Sequence, residues 1–239
     1  MRRRAVVLAP LLGLLTRAKA APSSYPLALP EGINLPRIKP VLDLIGKQAE
    51  LTWDYQLVPV TRMLAMVENG WTLGFGAGRS SVRSSRLLFS DEVFTSGLWP
   101  IARTELDREL RSVDDLKDLR VCLVRGLDYG RVLEDAKGAV YAAEYVSGDF
   151  RTRVRQLMAG RCDVLLANHF NADAGALRQR IAESGGSLDR LKVSAAPLGN
   201  LAERFVTAKA SSFSTLLPVI DQVLKGSRKE IAQLLASRE

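Results

Sequence analysis

After Phe75 the chain reads GAGRSSVRSSRLLFSDEVF, with Arg79, Arg83 and Arg86 threaded among small residues and hydroxyls. Where a strand ends and a helix begins, such a run offers free backbone N–H groups that attract anions. It also offers guanidinium forks that hold a carboxylate by two parallel charge-assisted hydrogen bonds. Asn168 and His169 close a second apolar run, at the kind of strand end where α/β sheets receive ligands. Asp128, two residues past Gly126, stands in another such turn, with a helix cap as its simplest role. Bond-making chemistry finds less support. His169 is the sole histidine, no cysteine pair lies near it, and no nucleophile is set beside a base, so neither a metal, a cofactor nor a catalytic pair is expected.

These residues need a scaffold of alternating strands and helices. Thr52 to Val58 mixes β-branched and aromatic residues, and Pro59 closes that strand. Val60, Leu64 and Val67 then recur on one helical face, and Asn69-Gly70 supplies a left-handed stop. Trp71 to Phe75 follows as a short strand. A strand, a helix and a strand at this length form a parallel unit with a right-handed crossover. A second set opens at Ser112, which makes an S-x-x-D capping pattern with Asp115. The pattern predicts a strand over Arg120 to Val124, a turn at Gly126, a helix from about Tyr129, and a weak strand over Ala139 to Val146. It then predicts a helix over Asp149 to Met158, with Phe150, Val154 and Leu157 on one face, and a buried strand over Cys162 to Ala167. A helix over Leu177 to Glu183, a late strand at Val206 and two closing helices, Leu216 to Leu224 and Lys229 to Ser237, complete the reading. There is no internal repeat. The fold class is α/β, in two doubly wound lobes.

Arg2, Arg3 and Arg4, an apolar run from Ala5 to Leu15 and an A-x-A site at Ala18-Lys19-Ala20 spell a secretory leader over residues 1–20. The run is too short to span a bilayer. With the leader's five cations gone, the formal charge of +8 falls to +3, and the remaining basic residues are scattered among acidic ones. That removes the electrostatic footprint of a nucleic-acid binder. Export permits a disulfide between Cys122 and Cys162, but strand interiors rarely meet its geometry, so two buried thiols are the stronger expectation.

The segments LVPVTRMLAMVENG and GFGAGRSSVRSSRLLFSDEVFTS resemble the type II periplasmic solute-binding proteins, which capture amino acids for ABC importers. SVDDLKDLRVCLVRGLDYGRVLE, VRQLMAGRCDVLLAN and APLGNLAERFVTAKASS extend the likeness over nearly all of the mature chain, with Tyr25 to Pro36 the poorest match. The resemblance implies two lobes joined by two crossings, near Leu98 to Arg103 and near Ala195 to Phe205. Residues 21–98 with 205–239 would form the first lobe and 99–204 the second. It implies that Arg83, six residues before Phe89-Ser90, grips the solute's carboxylate, with Ser80 contributing a hydroxyl. It also exposes departures. Gly78 stands where a Ser or Thr is usual, and Asn168 where a carboxylate would meet an ammonium. Asp128 stands where Ser or Thr would be common and can restore a negative charge from the other side. The expected solute is therefore a carboxylate or another polar anion rather than an ordinary α-amino acid. Tyr25 would cover it from the first loop, Trp53 and Trp71 would be core, and Trp99 beside Pro100 would pack between the lobes at the hinge. The resemblance implies a monomeric periplasmic protein that works by hinge closure with an inner-membrane ABC permease. A sensory or accessory role and a cyclohexadienyl-dehydratase-like enzyme are the alternatives, the second opposed by Asn168 at the acidic position.

Overall fold

The computed structural model describes residues 24–170 and 174–236, so the leader and Ser237 lie outside the described residues. The chain opens on β1 (Ser24–Pro30), α1 (Leu35–Gln48), β2 (Thr52–Val58), α2 (Val60–Glu68) and β3 (Leu73–Phe75). A short α3 (Ser81–Arg86), β4 (Leu87–Phe89) and the long β5 (Phe94–Arg103) follow. Next come β6 (Arg120–Val124), α4 (Arg131–Ala136), β7 (Ala142–Val146), α5 (Phe150–Met158), β8 (Val164–His169) and α6 (Ala174–Glu183). Then follow β9 (Leu191–Val193), β10 (Asn200–Glu203), β11 (Phe205–Ala208) and α7 (Leu216–Ala236). Among the described residues no helix is long and apolar enough to cross a membrane.

Two sheets result. The first runs β2-β1-β3-β11-β4, and the second β10-β5-β8-β6-β7 with β9 also paired to β5. The strand period of two sorts the residues of β1 between the faces of the first sheet. Leu27 and Leu29 meet Ile38, Leu42 and Ile45 of α1 and Ile220 and Leu224 of α7, while Ala28 meets Val60, Met63 and Val67 of α2 on the other face. The second sheet is covered in the same way. Trp99, Ile101, Leu165 and Ala167 pack on α5 and α6, whereas Leu98, Val121, Leu123 and Leu166 pack on the α4 side with Tyr129 and Tyr141. Each core therefore has helices on both faces, as parallel strands require.

Several expectations change. The two closing helices are one, because α7 runs unbroken through Gly226. A mid-helix glycine costs about 1 kcal/mol. Burying Leu217, Ile220, Leu224 and Ile231 along one face outweighs that, at roughly 1.5–3 kcal/mol for each such side chain. Trp71 is not core: Gly70, at φ 72°, turns the chain out of α2, and Trp71 is left 67 % exposed ahead of β3. Trp99 lies inside the second lobe's core, since all of β5 belongs to the second sheet. Cys122 and Cys162 are joined in a disulfide with Cα atoms 5.6 Å apart. Cys162 precedes β8 instead of sitting within it, so the bond ties a strand to a loop and the objection from strand interiors does not apply.

Candidate functional site

The sheets exchange strands at one place. The chain leaves the first sheet after Phe89 and enters the second at Phe94; it returns between Glu203 and Phe205. There β5 and β10 run antiparallel, with Phe94 opposite Glu203 and Gly97 opposite Asn200. We place the hinge at this pair. The carboxyl ends of β1, β3, β6, β7 and β8 lead into loops that meet between the lobes, as ligand crevices of open α/β sheets do.

A cavity of about 60 Å³ lies between them, lined by Glu31, Gly32 and Gly76 from the first lobe, Ser96 and Glu203 from the crossing strands, and Arg153, Asn168 and Arg180 from the second lobe. A water needs about 10–15 Å³ of such space, so the cavity has room for about four to six. The lobes are closed over it. The Gly148 N–H donates to Glu31 Oε1 at 2.9 Å and Arg180 Nη2 to the Gly32 carbonyl at 2.8 Å, both across the gap.

Glu203 is 5 % exposed and sits at the crossing itself. Its Oε1 accepts from Ser96 Oγ at 2.5 Å and from Asn168 Nδ2 at 2.8 Å. Burial raises its pKa, outweighing both hydrogen bonds. Asn168 Oδ1 is buried beside it without a hydrogen-bond partner. Arg153 and Arg180 come from α5 and α6 and stack on Phe150, whose ring lies 5.9 Å and 4.1 Å from the two guanidinium carbons. Burial lowers the pKa of both, that of Arg180 to about 9 with further lowering from Arg153.

Of the residues expected at the site, only Asn168 lines this cavity. Arg83 lies beside it, at the seam between the lobes. Its Nη1 donates to the Gly78 carbonyl at 2.8 Å and its Nη2 to the Gly126 carbonyl of the opposite lobe, so the fork is occupied by backbone. Burial lowers its pKa, against the opposing charge of Asp128. Ser80 caps α3, its Oγ accepting from the Arg83 N–H at 3.3 Å. Asp128 turns its Oδ1 to the Gly130 N–H at 2.9 Å, a local turn rather than the α4 cap, and its Cβ lies 2.5 Å from where a Cβ on Gly78 would fall. Gly78 is thus one of the points where the two lobes touch. Tyr25 stands at the opposite end of β1, edge-on to Phe213 at 6.5 Å, because residues 24–30 form a strand and not a loop. It cannot cover the cavity. His169 is 4 % exposed, next to Phe170, and does not line the cavity.

The sequence reading missed Glu31, Arg153, Arg180 and Glu203. One signal was there to read: Arg153 falls on the apolar stripe of Phe150, Val154 and Leu157, and Arg180 beside Leu177 and Ile181, where a lone charge needs a reason.

Two lobes that exchange strands around a shared crevice define the type II periplasmic-binding-protein fold. No protein-family model and no curated protein matches the chain. Solved structures do. An ancestral arginine-binding protein bound to arginine superposes with a TM-score of 0.70 at 16 % identity, over 90 % of this chain and 97 % of that one. An amino acid ABC transporter substrate-binding protein from Streptococcus pneumoniae, bound to L-arginine, gives 0.68 at 14 % identity, over 90 % and 93 %. The GluR0 ligand-binding core from Nostoc punctiforme with L-glutamate gives 0.67 at 16 %, over 89 % and 98 %.

Proposed function

We propose that this chain is a periplasmic solute-binding protein that closes its lobes over a small, polar, carboxylate-bearing solute and delivers it to an ABC importer in the inner membrane. The observation that carries this reading is the cavity at the strand crossing, into which both lobes and the hinge project charged or amide side chains. Polar groups buried there have no use in a merely structural seam, where they cost stability. The structurally similar proteins bind amino acids, two of them named for arginine or ABC transport, and their chain lengths match this one. The leader over residues 1–20 would deliver the protein to the periplasm, and capture of this kind works as a monomer without cofactor or turnover.

One feature favours catalysis: Glu203 is a carboxyl in a cavity whose pKa burial raises, the direction a dehydrating general acid needs. Its Oε1 is taken by Ser96 and Asn168, and among the described residues no basic side chain is hydrogen-bonded to it, so capture remains the reading. A thermal-shift screen of the mature protein against amino acids, organic acids and polyamines tests it, since a bound solute raises the melting temperature by mass action. A rise with a small carboxylate and no turnover of prephenate-like acids is the expected outcome. No rise with any compound would remove the proposal.

A further inference from the structure

Arg153 is 6 % exposed, yet among the described residues its hydrogen bonds go only to carbonyls. Its Nε reaches the Asp149 carbonyl and its Nη2 the Gly32 carbonyl, each at 3.4 Å, at the long end of the range. Arg180 likewise meets the carbonyls of Asn168 at 3.3 Å and Gly32 at 2.8 Å. A guanidinium has more N–H donors than such contacts occupy. Two cations therefore face one cavity with their hydrogen bonds on neutral carbonyls alone; burial and, at Arg180, the charge of Arg153 oppose this, and the charges of Glu31 and Asp149 on Arg153 and of Glu183 on Arg180 offset it only in part. Glu31, whose charge acts on Arg153, spends one oxygen on the Gly148 N–H, and Glu203 is turned to Ser96 and Asn168. Glycine at position 32 is part of the construction: a Cβ there would fall 1.9 Å from Arg153 Nη2. Arg83, by contrast, spends both terminal nitrogens on backbone carbonyls of the two lobes and stands outside the lining.

We propose that Arg153 and Arg180, and not Arg83, seat the solute's carboxylate, and that Arg83 is a latch between the lobes. The solute is then held chiefly by the second lobe. Its class follows from charge and room: a small organic acid with net negative charge. The assignment rests on the solute-capture reading above, and its test separates the two.

Calorimetry of the mature protein with L-lactate, malonate, glycine and ethanolamine samples an anion with a donor, a dianion, a zwitterion and a cation of suitable size. Lactate or malonate is expected to bind, and Arg153→Gln and Arg180→Gln each to weaken that binding by about tenfold to a hundredfold, the loss of a charge-assisted pair. Arg83→Gln is expected to change it by less than either. Should Arg153→Gln fail to fold, Arg180→Gln, whose side chain is partly exposed, carries the same test. Binding of glycine or ethanolamine in preference to both acids overturns the anion seat while leaving solute capture intact. So does loss of binding in Arg83→Gln with the Arg180 variant unaffected. Failure of the two acids to bind at all also overturns the seat; failure of the whole earlier screen removes the capture reading itself.

Discussion

At the residue scale, Glu203 offers the clearest dependence on pH. Burial raises its pKa above the ordinary 4.5, so the folded chain holds this proton to a higher pH than the unfolded chain does. The stability linked to this group is complete below the unfolded value and is lost as pH rises through the folded one. Glu203→Gln keeps an oxygen to accept from Ser96 and Asn168 but cannot ionise. Melting temperatures measured at about pH 5 and about pH 8 should fall less between the two in the variant than in the wild type, following the linkage slope. Equal slopes would show that Glu203 is ionised in the folded protein. Glu203 falls inside the Ala195 to Phe205 crossing that the resemblance implied, but nothing in NLAERF marks its carboxyl as buried at the site; the pairing of Phe94 with Glu203 does. Arg153 was nearer to being read, because its position on the α5 stripe is a matter of helical period alone. Arg83 drew attention by its motif. Where its fork lands depends on the Gly126 carbonyl, which belongs to a turn 43 residues away in sequence.

At the scale of elements, local pattern set most of the scaffold. The strand over Thr52–Val58, the strand over Arg120–Val124 and the Phe150 face of α5 stand as their residue types require, since periodicity and punctuation by Pro59 and Gly70 act over a few residues. The merged α7 shows the limit of that approach. Gly226-Ser227 reads as a break, but Ser227 Oγ bonds Gln48 Oε1 at the end of α1, and the partner helix holds the stretch in register. The disulfide is the other tertiary decision. β6 and β8 are parallel neighbours, with Val121 opposite Val164, and this brings Cys162 of the preceding loop to Cys122. Closing a separation of 40 residues removes denatured-chain entropy worth about 4 kcal/mol in the loop-closure account. Reduction, or the double change Cys122→Ala with Cys162→Ala, should lower the urea midpoint, and the unfolding free energy extrapolated to water by an amount of that order, while leaving the far-ultraviolet circular dichroism unchanged. A midpoint indifferent to reductant would mean that the second lobe gains nothing from the bond.

At the scale of the whole molecule, the question is what holds the lobes shut. Polar links cross the gap from Arg83 to Gly126, from Gly148 to Glu31 and from Arg180 to Gly32, and each can be remade with water when the lobes part. Closure is therefore a balance that a solute tips by its preference for the closed form. Gly78 gives a means of moving that balance without touching the cavity. Its missing side chain lets Asp128 approach so closely that an added Cβ would lie 2.5 Å from Asp128 Cβ and 3.3 Å from its carbonyl oxygen, atoms that cannot swing aside as a side-chain tip would. Within the first lobe the site is partly open, so Gly78→Val should leave that lobe's fold intact. Between the lobes the overlap should cost about 1–3 kcal/mol, as overpacking does. Small-angle scattering of the unliganded variant should then give a larger radius of gyration than the wild type. Affinity for any compound found in the screen should fall by roughly five- to 150-fold, because the closed form is the one that binds. If both radius and affinity match the wild type, the lobes do not need to meet at Gly78 for capture, and the hinge-closure account loses its basis.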